Sequence, residues 1–399
     1  MRIRDLGYTP GILPTGPTNS ILDIDGLHIS QVTVPTTANL NPESTASKGV
    51  TVVSPRPPKE YYQPCRAGTF CFNGNGEFTG SRQIADWGFT NTPIAFTNSL
   101  SLGSVFDASW DWALEQQKRI GWDWDAAGKH FGTPVVGETC DWIINEEVPS
   151  TRVGRDDIKR CFDGLKSRED GAKVYEGQKG GGCGMTCHQF AGGTGTSSRT
   201  VNPGDDKSKQ YTLAALCQSN YGLREDLVIG GVPIGKILKK QAKAGSTSET
   251  IKASALEDIP AGRTKDGSII ILVVTDAPLT TNELDRVARH ITVGLCQVGS
   301  YGVGRNSSGD IFVALSTASS GPEVREGSDR QKIETYATEY VKSQSIDPFF
   351  YACAEAVEEA ILNSMVGAAD GVVAMNGTKI EGFPINKVKG LLEQHLVKV

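Results

Sequence analysis

A run of six aliphatic residues, Ile269 to Val274, constrains the fold of this chain more than any other stretch. An uninterrupted aliphatic run of this length, bounded by turn residues, predicts a strand that is buried on both faces. Gly267 and Ser268 stand directly before the run. Ser268 is therefore expected at the head of a buried strand, where it is fixed in position but open at one end.

The Gly267–Ser268 pair has two interpretations. In the first, the glycine makes a turn and the serine caps the strand, because both residue types are common in turns. In the second, the bond between them breaks, and Ser268 becomes a new N-terminus whose hydroxyl is a nucleophile and whose amine is a base. Residues 236–267 are polar and rich in lysine, which predicts a mobile connector. Such a connector suits a self-cleaving junction and a surface insertion equally well.

Composition excludes several classes of function. The net charge of −6 argues against a basic surface for nucleic acid. The longest aliphatic run is far too short to cross a membrane, and the first residues lack the apolar core of a signal peptide. The chain has nine cysteines, an odd and scattered set that does not resemble a disulfide framework. We therefore expect a cytoplasmic protein with reduced thiols and with no nucleic-acid or membrane partner.

The rest of the chain alternates predicted strands with predicted helices, after an irregular arm at residues 1–20. Strands are predicted near residues 21–29, 48–53, 67–72, 93–98, 134–140, 212–220 and 307–317, and helices near residues 105–120, 155–165, 281–288 and 348–365. In the last helix, Glu355, Glu358 and Glu359 fall on the face opposite the apolar one. Both halves of the chain contribute strands, which predicts one layered α/β or α+β domain over residues 1–399.

Three familiar catalytic or binding patterns are disfavoured. The chain has five histidines, but none lies in a serine-hydrolase setting, so a Ser-His-Asp triad is not expected. The segment from Cys183 to His188 resembles a metal knuckle but lacks a second ligand pair, which favours buried cysteines in a glycine-rich turn. The segment from Gly192 to Ser198 lacks the Lys-Ser/Thr ending of a phosphate loop, which favours a close turn beside an active site.

Polar residues at other strand ends are candidates for a site with Ser268. Asn220 ends a predicted strand, and an asparagine amide is a good donor to a developing oxyanion. Ser308 and Asp310 are two residues apart, so both side chains lie on one side of a strand and Asp310 can orient Ser308. Each of these residues is also compatible with ordinary turn chemistry, which the pattern alone does not exclude.

Six short motifs follow one another along the chain: Arg4-Asp5-Leu6-Gly7, Phe72-Asn73-Gly74-Asn75-Gly76-Glu77-Phe78-Thr79-Gly80, Gly192-Gly193-Thr194-Gly195-Thr196, Gln218-Ser219-Asn220-Tyr221-Gly222, Gly267-Ser268-Ile269-Ile270 and Ser308-Gly309-Asp310-Ile311-Phe312. Together they resemble the DmpA-type L-aminopeptidase/D-esterase family, which includes the β-aminopeptidases. The resemblance runs in order along the chain, as far as the helix that ends near Met365. Six collinear motifs are much more specific than any one of them.

The resemblance implies an α+β fold, a four-layer αββα sandwich of the DmpA and ornithine acetyltransferase type. This sandwich resembles the N-terminal-nucleophile hydrolases in shape and differs from them in connectivity. The resemblance also implies self-cleavage between Gly267 and Ser268 into fragments 1–267 and 268–399, assembly as a homotetramer, and no metal or organic cofactor.

The resemblance further implies roles for the candidate residues. Ser268 would be the nucleophile, with its freed α-amine, whose ordinary pKa is near 8, as general base. Asn220 would be the hydrogen-bond donor to the oxyanion, helped by the Gly309 amide. Ser308 and Asp310 would form a polar relay beside the nucleophile. Glu138 would be the carboxylate that binds the substrate's ammonium group. The family carries a tyrosine two residues after this carboxylate, where this chain has Cys140, so transition-state stabilisation or substrate choice can differ.

These implications predict a self-processing serine aminopeptidase that hydrolyses N-terminal residues from short peptides, amides or esters through an acyl-enzyme at Ser268. One alternative is an acyltransferase of the ornithine acetyltransferase type, although those enzymes typically cleave before threonine. Another is a non-catalytic binding protein that keeps the fold. The preference for L-, D- or β-amino-acid substrates depends on pocket loops whose shape the sequence does not reveal.

Overall fold

The aliphatic run forms an interior strand, β11, as predicted. The computed structural model describes residues 1–36, 41–122, 130–146, 149–202, 210–245, 267–300, 306–318 and 331–397. Strand β11 spans Ser268–Thr275, and each of its residues is buried. It pairs antiparallel with β10, Tyr211–Asn220, and parallel with β12, Gly309–Ser316. Continuous burial is what an apolar run without polar alternation requires.

Two large sheets contain most of the described strands. In order across the four-stranded sheet, the strands are β1 (His28–Pro35), β2 (Ser47–Ser54), β5 (Ile94–Asn98) and β6 (Val135–Thr139). In order across the six-stranded sheet, they are β4 (Phe89–Thr90), β3 (Cys65–Gly74), β12, β11, β10 and β9 (Gly193–Val201). Two short hairpins pair β7 (Thr186–Cys187) with β8 (Phe190–Ala191) and β13 (Val372–Val373) with β14 (Lys379–Ile380).

Helices lie in the described segments that connect or follow these strands. They are α1 (Ser81–Trp87), α2 (Leu102–Arg119), α3 (Arg155–Asp163), α4 (Ile234–Gly245), α5 (Thr281–Val298), α6 (Asp347–Val366) and α7 (Ile385–His395). Among the residues that the structure describes, no helix is both long enough and apolar enough to cross a membrane.

The alternation of side chains along β11 separates the layers. Ile270 and Leu272 point toward the four-stranded sheet and share a core with Phe96. Ile269 and Ile271 point the other way, into a core formed with α5 and α6, because successive strand residues face opposite sides of a sheet. The outer face of the four-stranded sheet packs against α2 and α3. The order of layers is therefore helix, sheet, sheet, helix, which confirms the predicted αββα sandwich.

Helix α6 is buried on its polar face as well as on its apolar face. The N-terminal arm covers Glu355, Glu358 and Glu359, which are only 8%, 1% and 0% exposed. Arg199 is fully buried, and its guanidinium binds Glu355 at 2.9 Å and Glu359 at 2.8 Å. Arg4 in the arm also binds Glu359, at 2.7 Å. Buried carboxylates require such partners, so the polar face of the helix is an internal attachment site for the arm.

The predictions of local structure at residues 21–29 and 236–267 are wrong. Within residues 21–29 the sequence predicts a strand, a turn and a second strand, but the structure has one strand that begins only at His28. The Asp23 carboxylate accepts hydrogen bonds from the backbone of Thr18 and Ser20 and closes a turn there instead. The predicted connector at residues 236–267 begins as part of helix α4, since its lysine, alanine and leucine residues are good helix formers. The remainder of the predicted connector, residues 246–266, lies outside the described residues.

Candidate active site

Ser268 lies at one end of β11, between two of the predicted site residues. In the strand register it stands opposite Asn220 of β10 on one side and Gly309 of β12 on the other. The Ser268 hydroxyl oxygen accepts a hydrogen bond from the Gly309 amide at 3.2 Å. Ser268 as a whole is only 9% exposed, so it is largely buried. The structure therefore brings these three predicted residues together, where the end of β10 meets the beginnings of β11 and β12.

The Asn220 side chain is held in a fixed orientation by two backbone groups. Its Oδ1 accepts a hydrogen bond from the Thr186 amide at 2.9 Å, and its Nδ2 donates to the Cys140 carbonyl at 2.7 Å. An amide nitrogen carries two hydrogens, and within the described ranges only one of them has an acceptor. The geometry can thus present the second hydrogen to a developing negative charge. The hydrogen bond from Asn220 also connects the Cys140 backbone to the site.

Ser308 and Asp310 form the hydrogen-bonded pair that their spacing predicts. The Ser308 hydroxyl donates to Asp310 Oδ2 at 2.6 Å, and Asn73 Nδ2 donates to the same oxygen at 3.3 Å. Asp310 Oδ1 has no hydrogen-bond partner in the described part of the chain. Burial raises the pKa of Asp310 to about 7, against the opposing effect of hydrogen bonds from Ser308, Asn73 and the Ile269 backbone.

Asn73 is a site residue that sequence reasoning missed, because it was considered only as part of the motif Phe72–Gly80. A register shift in the pairing of β12 with β3 places Asn73 opposite Asp310, whereas the next residue, Ile311, pairs with Cys71. Phe72 is the extra residue of this bulge. A bulge redirects nearby side chains, and here the shifted pairing accompanies the contact between Asn73 and the carboxylate.

Replacement of Asp310 with asparagine is expected to change how stability depends on pH. The folded-state pKa of Asp310 lies above the ordinary value of 3.8. The contribution of Asp310 to the stability of the folded protein is therefore complete below about pH 3.8 and is lost as pH rises through about 7. Asp310→Asn does not ionise and avoids this loss. Its melting temperature should therefore rise relative to wild type between pH 4 and 7, by about 2–5 °C, and the difference should level off above about pH 8. A difference that stays constant across this range in differential scanning calorimetry would contradict the assignment.

Glu138, near the end of β6 in the four-stranded sheet, lies close to the start of β12. A Cβ atom on Gly76 would be 3.3 Å from Glu138 Oε1 and 3.2 Å from the Gly309 Cα. Glu138 Oε1 accepts a hydrogen bond from the Glu77 amide at 2.9 Å, and its Oε2 accepts one from the Ser99 hydroxyl. Burial raises the pKa of Glu138, and these two hydrogen bonds oppose the effect. Sequence reasoning missed Ser99, although it directly follows a predicted strand, as several site residues do. The result is a buried carboxylate held in place by two donors.

Gly267 has a steric role that a turn glycine does not require. A Cβ atom at this position would lie 1.9 Å from the Asn220 carbonyl oxygen and 2.4 Å from the Tyr221 Cα. Backbone atoms at these distances cannot move away without displacing the end of β10. Only glycine therefore fits directly before Ser268, because the chain passes too close to its neighbour for any side chain.

The predictions for the two glycine-rich segments among the disfavoured patterns have different outcomes. Cys183 and Cys187 are buried, as predicted, and His188 Nδ1 lies 3.0 Å from the Leu223 carbonyl oxygen. The prediction of a close turn from Gly192 to Ser198 is wrong, because most of this segment belongs to the fully buried strand β9. Gly195 in this strand permits close approach of α6, since a Cβ there would lie 1.9 Å from the Ala360 carbonyl oxygen.

Comparisons with known proteins find one matching family and several similar proteins. The model of peptidase family S58 matches residues 19–380. The beta-peptidyl aminopeptidase BapA of Sphingosinicella microcystinivorans is 33% identical over 396 residues, which cover 99% of this chain and 92% of the relative. A BapA of Sphingosinicella xenopeptidilytica is also 33% identical, over 98% of this chain and 91% of the relative.

Two solved structures share the fold at similar identity. A beta-aminopeptidase of Burkholderia sp. superimposes with a TM-score of 0.80 at 33% identity and 100% coverage of both chains. The L-aminopeptidase D-Ala-esterase/amidase of Ochrobactrum anthropi superimposes with a TM-score of 0.79 at 30% identity, over 99% of this chain and 98% of that one. The latter is described as a prototype for the serine aminopeptidases and as a variant of the N-terminal-nucleophile hydrolase fold. This chain belongs to peptidase family S58, the family of DmpA-type aminopeptidases and β-aminopeptidases that its motifs predict.

Proposed function

We propose that this protein is a self-processing serine aminopeptidase that removes N-terminal residues from short peptides, amides or esters through an acyl-enzyme at Ser268. The observation that carries the proposal is the position of Ser268 at the head of a buried strand, paired with Asn220 of β10 on one side and bonded to the Gly309 amide of β12 on the other. A nucleophile flanked by two hydrogen-bond donors is the arrangement that acyl transfer requires.

Processing would begin with attack of the Ser268 hydroxyl on the Gly267 carbonyl carbon. The peptide bond breaks, the nitrogen takes the hydroxyl proton, and Gly267 is left as an ester on the serine oxygen. Water then hydrolyses the ester, which releases the Gly267 carboxylate and leaves Ser268 with a free α-amine. The close packing of Gly267 against the end of β10 supports this step, because it restricts the scissile peptide to few conformations.

Substrate hydrolysis would use the new amine as general base, since its ordinary pKa is near 8. As the amine removes the hydroxyl proton, the Ser268 oxygen attacks the substrate carbonyl. Negative charge then develops on the carbonyl oxygen, and the free Asn220 Nδ2 hydrogen and the Gly309 amide would stabilise it. As this intermediate collapses, the bond to the leaving amine or alcohol breaks, the protonated α-amine gives the leaving group its proton, and the acyl group stays as an ester on Ser268. Water, deprotonated by the same amine, then hydrolyses the ester and frees the Ser268 hydroxyl. Ser308 and Asp310 are hydrogen-bonded to each other and would act as a polar relay beside the nucleophile.

Glu138 would restrict the enzyme to substrates with a free amine. Burial disfavours the charged form of this carboxylate and raises its pKa. A substrate ammonium group supplies the missing positive charge and makes a charge-assisted hydrogen bond. The position of the ammonium group then fixes the first carbonyl of the substrate near Ser268, so cleavage is confined to the first residue.

A panel of p-nitroanilides tests the proposed activity directly. L-, D- and β-aminoacyl p-nitroanilides would be compared with their N-acetylated forms, and acetyl transfer would be assayed in parallel. We expect hydrolysis of free-amine substrates, with N-acetylation lowering kcat/KM by at least about 100-fold through loss of the charged contact and the steric cost of the acetyl group. Equal hydrolysis of blocked and free substrates would contradict the role of Glu138. Acetyl transfer without hydrolysis would favour the acyltransferase, and no activity of either kind would favour a binding protein.

We further propose that the chain forms one domain and that fragments 1–267 and 268–399 stay together after cleavage. Strands β11 and β12 belong to the second fragment and lie between β3 and β10 of the first. Separation of the fragments would expose the cores on both faces of β11. A cytoplasmic homotetramer without a metal or organic cofactor remains our prediction for the assembled enzyme.

A further inference from the structure

The hairpin of β7 and β8 carries a buried histidine, His188, that has no role in the reaction described above. His188 is fully buried, and with Gln189 it forms the two-residue loop between the paired residues Cys187 and Phe190. Both loop residues have positive φ angles, 47° and 60°. Asparagine and glycine are the favoured residues in such a loop, because most side chains fit the left-handed region poorly. The turn itself therefore does not explain why a histidine is buried here.

The imidazole of His188 is a neutral hydrogen-bond donor. Burial lowers the pKa of His188 to about 4, against the opposing effect of its contact with the Leu223 carbonyl. At neutral pH only one ring nitrogen then carries a hydrogen. Nδ1 lies 3.0 Å from the Leu223 carbonyl oxygen, which can only accept, so the hydrogen is on Nδ1. Nε2 has no hydrogen-bond partner among the residues that the structure describes, so the ring makes this one hydrogen bond there.

His188 binds the segment that directly follows β10. Its backbone amide donates to the Tyr221 carbonyl at 2.6 Å, and its imidazole donates to the Leu223 carbonyl. The ring lies against Gly222 between them, where an added Cβ would be 2.9 Å from Nδ1. It also makes an edge contact with the Tyr221 ring, with 5.1 Å between the ring centroids. One residue of the hairpin thus contacts three consecutive residues, 221–223.

This attachment affects Asn220, the last residue of β10. The amide of Thr186, two residues before His188 in the same hairpin, donates to Asn220 Oδ1 at 2.9 Å. A donor at this position fixes which end of the side-chain amide is the oxygen, and with it the direction of Nδ2. A hairpin that shifts relative to β10 would therefore rotate or release the amide whose free hydrogen we assign to the oxyanion.

We propose that His188 is a positioning residue that fixes the β7–β8 hairpin against residues 221–223 and thereby holds the Asn220 amide in the orientation that stabilises the oxyanion. The proposal rests on the aminopeptidase function proposed above and deepens it. His188 acts through Thr186 and Asn220, and it takes no part in making or breaking bonds. A histidine with a structural role alone would affect stability and leave the orientation of this one amide unchanged.

The test compares His188→Gly with His188→Asn on the free-amine p-nitroanilide that the wild type hydrolyses best. Both replacements fit a left-handed backbone, and both leave part of the ring's space empty, so both should lower the melting temperature. Asparagine keeps a nitrogen donor at the same number of bonds from Cα as Nδ1, whereas glycine has none. We expect His188→Gly to lower kcat at least about tenfold with a smaller change in KM, because a misplaced donor raises the barrier. His188→Asn should keep kcat within about threefold of wild type.

His28→Gly is the matched control. His28 Nδ1 also lies 3.0 Å from a backbone carbonyl oxygen, that of Gly26, but the residue belongs to β1 at the edge of the four-stranded sheet. This variant should lose stability and keep the wild-type kcat per processed molecule. Intact-mass spectra and melting temperatures of all variants give the processed and folded fractions to which kcat is referred.

A double-variant cycle with Asn220→Ala separates positioning from a general structural effect. Once the Asn220 amide is absent, His188→Gly should lower kcat by less than about threefold, because no donor remains to be misplaced. Equal losses in the two backgrounds would overturn the proposal. So would a His188→Gly variant with wild-type kcat, or equal losses in His188→Gly and His188→Asn.

Two further outcomes are distinct from these. Should His188→Gly not fold, His188→Ala replaces it, since alanine also lacks the donor, and failure of both to fold would overturn the proposal by placing the role of His188 in folding. A wild type that hydrolyses no substrate of the panel would instead contradict the aminopeptidase function itself, and the proposal would fall with it.

Discussion

Ser268→Ala is expected to produce a single uncleaved chain whose aminopeptidase activity is at least about 10⁴-fold below that of wild type. The substitution removes one oxygen atom, and with it the nucleophile of both proposed steps. Because the Gly267–Ser268 bond then stays intact, the α-amine that we assign as base never forms. Two independent requirements for catalysis are lost together, so the effect should be close to complete. Activity against L- and β-aminoacyl p-nitroanilides and a denaturing gel measure the two consequences.

Ser316→Ala provides a matched control for Ser268→Ala. Ser316 is also a buried serine, at the far end of β12, and its hydroxyl donates to the Ala277 carbonyl at 2.6 Å. This control removes a hydrogen-bonded hydroxyl from the same sheet without touching the site. It should be processed and active, with at most a lower melting temperature. If Ser268→Ala retains substantial activity, or if Ser316→Ala also fails to be cleaved, then the assignment of Ser268 as nucleophile is wrong.

Asn220→Ala is expected to lower kcat by about 10²–10³-fold with a much smaller change in KM. The Asn220 amide acts on charge that develops only as the carbonyl is attacked, so its loss should raise the barrier more than it weakens ground-state binding. The variant should also be processed more slowly, since cleavage of the Gly267–Ser268 bond develops the same charge. Steady-state kinetics on the fraction of processed enzyme, together with the time course of cleavage, measure these effects.

The control for this variant must also lose a buried asparagine that is bonded to backbone groups. Asn363 on α6 meets the requirement, because its Oδ1 accepts from the Ile3 amide at 3.0 Å and its Nδ2 donates to the Thr196 carbonyl at 3.1 Å. Asn363→Ala should lower stability and leave kcat per folded molecule near wild type. Equal kcat values for the two variants would show that Asn220 acts only through structure.

The positions that the sequence predicts correctly are those that follow from local spacing. The aliphatic run after Ser268 requires burial on both faces, and the spacing of Ser308 and Asp310 places both side chains on one side of a strand. Asn220 was predicted as a strand-end residue, and the register of β10 with β11 places it opposite Ser268. The roles of these residues in the reaction remain predictions that the variants above test.

Features that depend on contacts between distant segments were missed. Asn73 contacts Asp310 beside a bulge between β3 and β12, which are far apart in the chain. The burial of Glu355 depends on Arg199 and on the N-terminal arm, so the helical pattern alone does not predict it. The glycines before Thr194 looked like a turn because a buried glycine in a strand and a turn glycine have the same local signature. In each case the deciding interaction comes from a segment that sequence spacing does not identify.

The mass spectrum of intact, freshly purified wild-type protein under denaturing conditions tests the central claim most directly. We predict two species, with the masses of fragments 1–267 and 268–399, and no mass that corresponds to cleavage at another bond. Folded and active protein that consists only of the uncleaved 399-residue chain would contradict the claim that Ser268 acts as an N-terminal nucleophile.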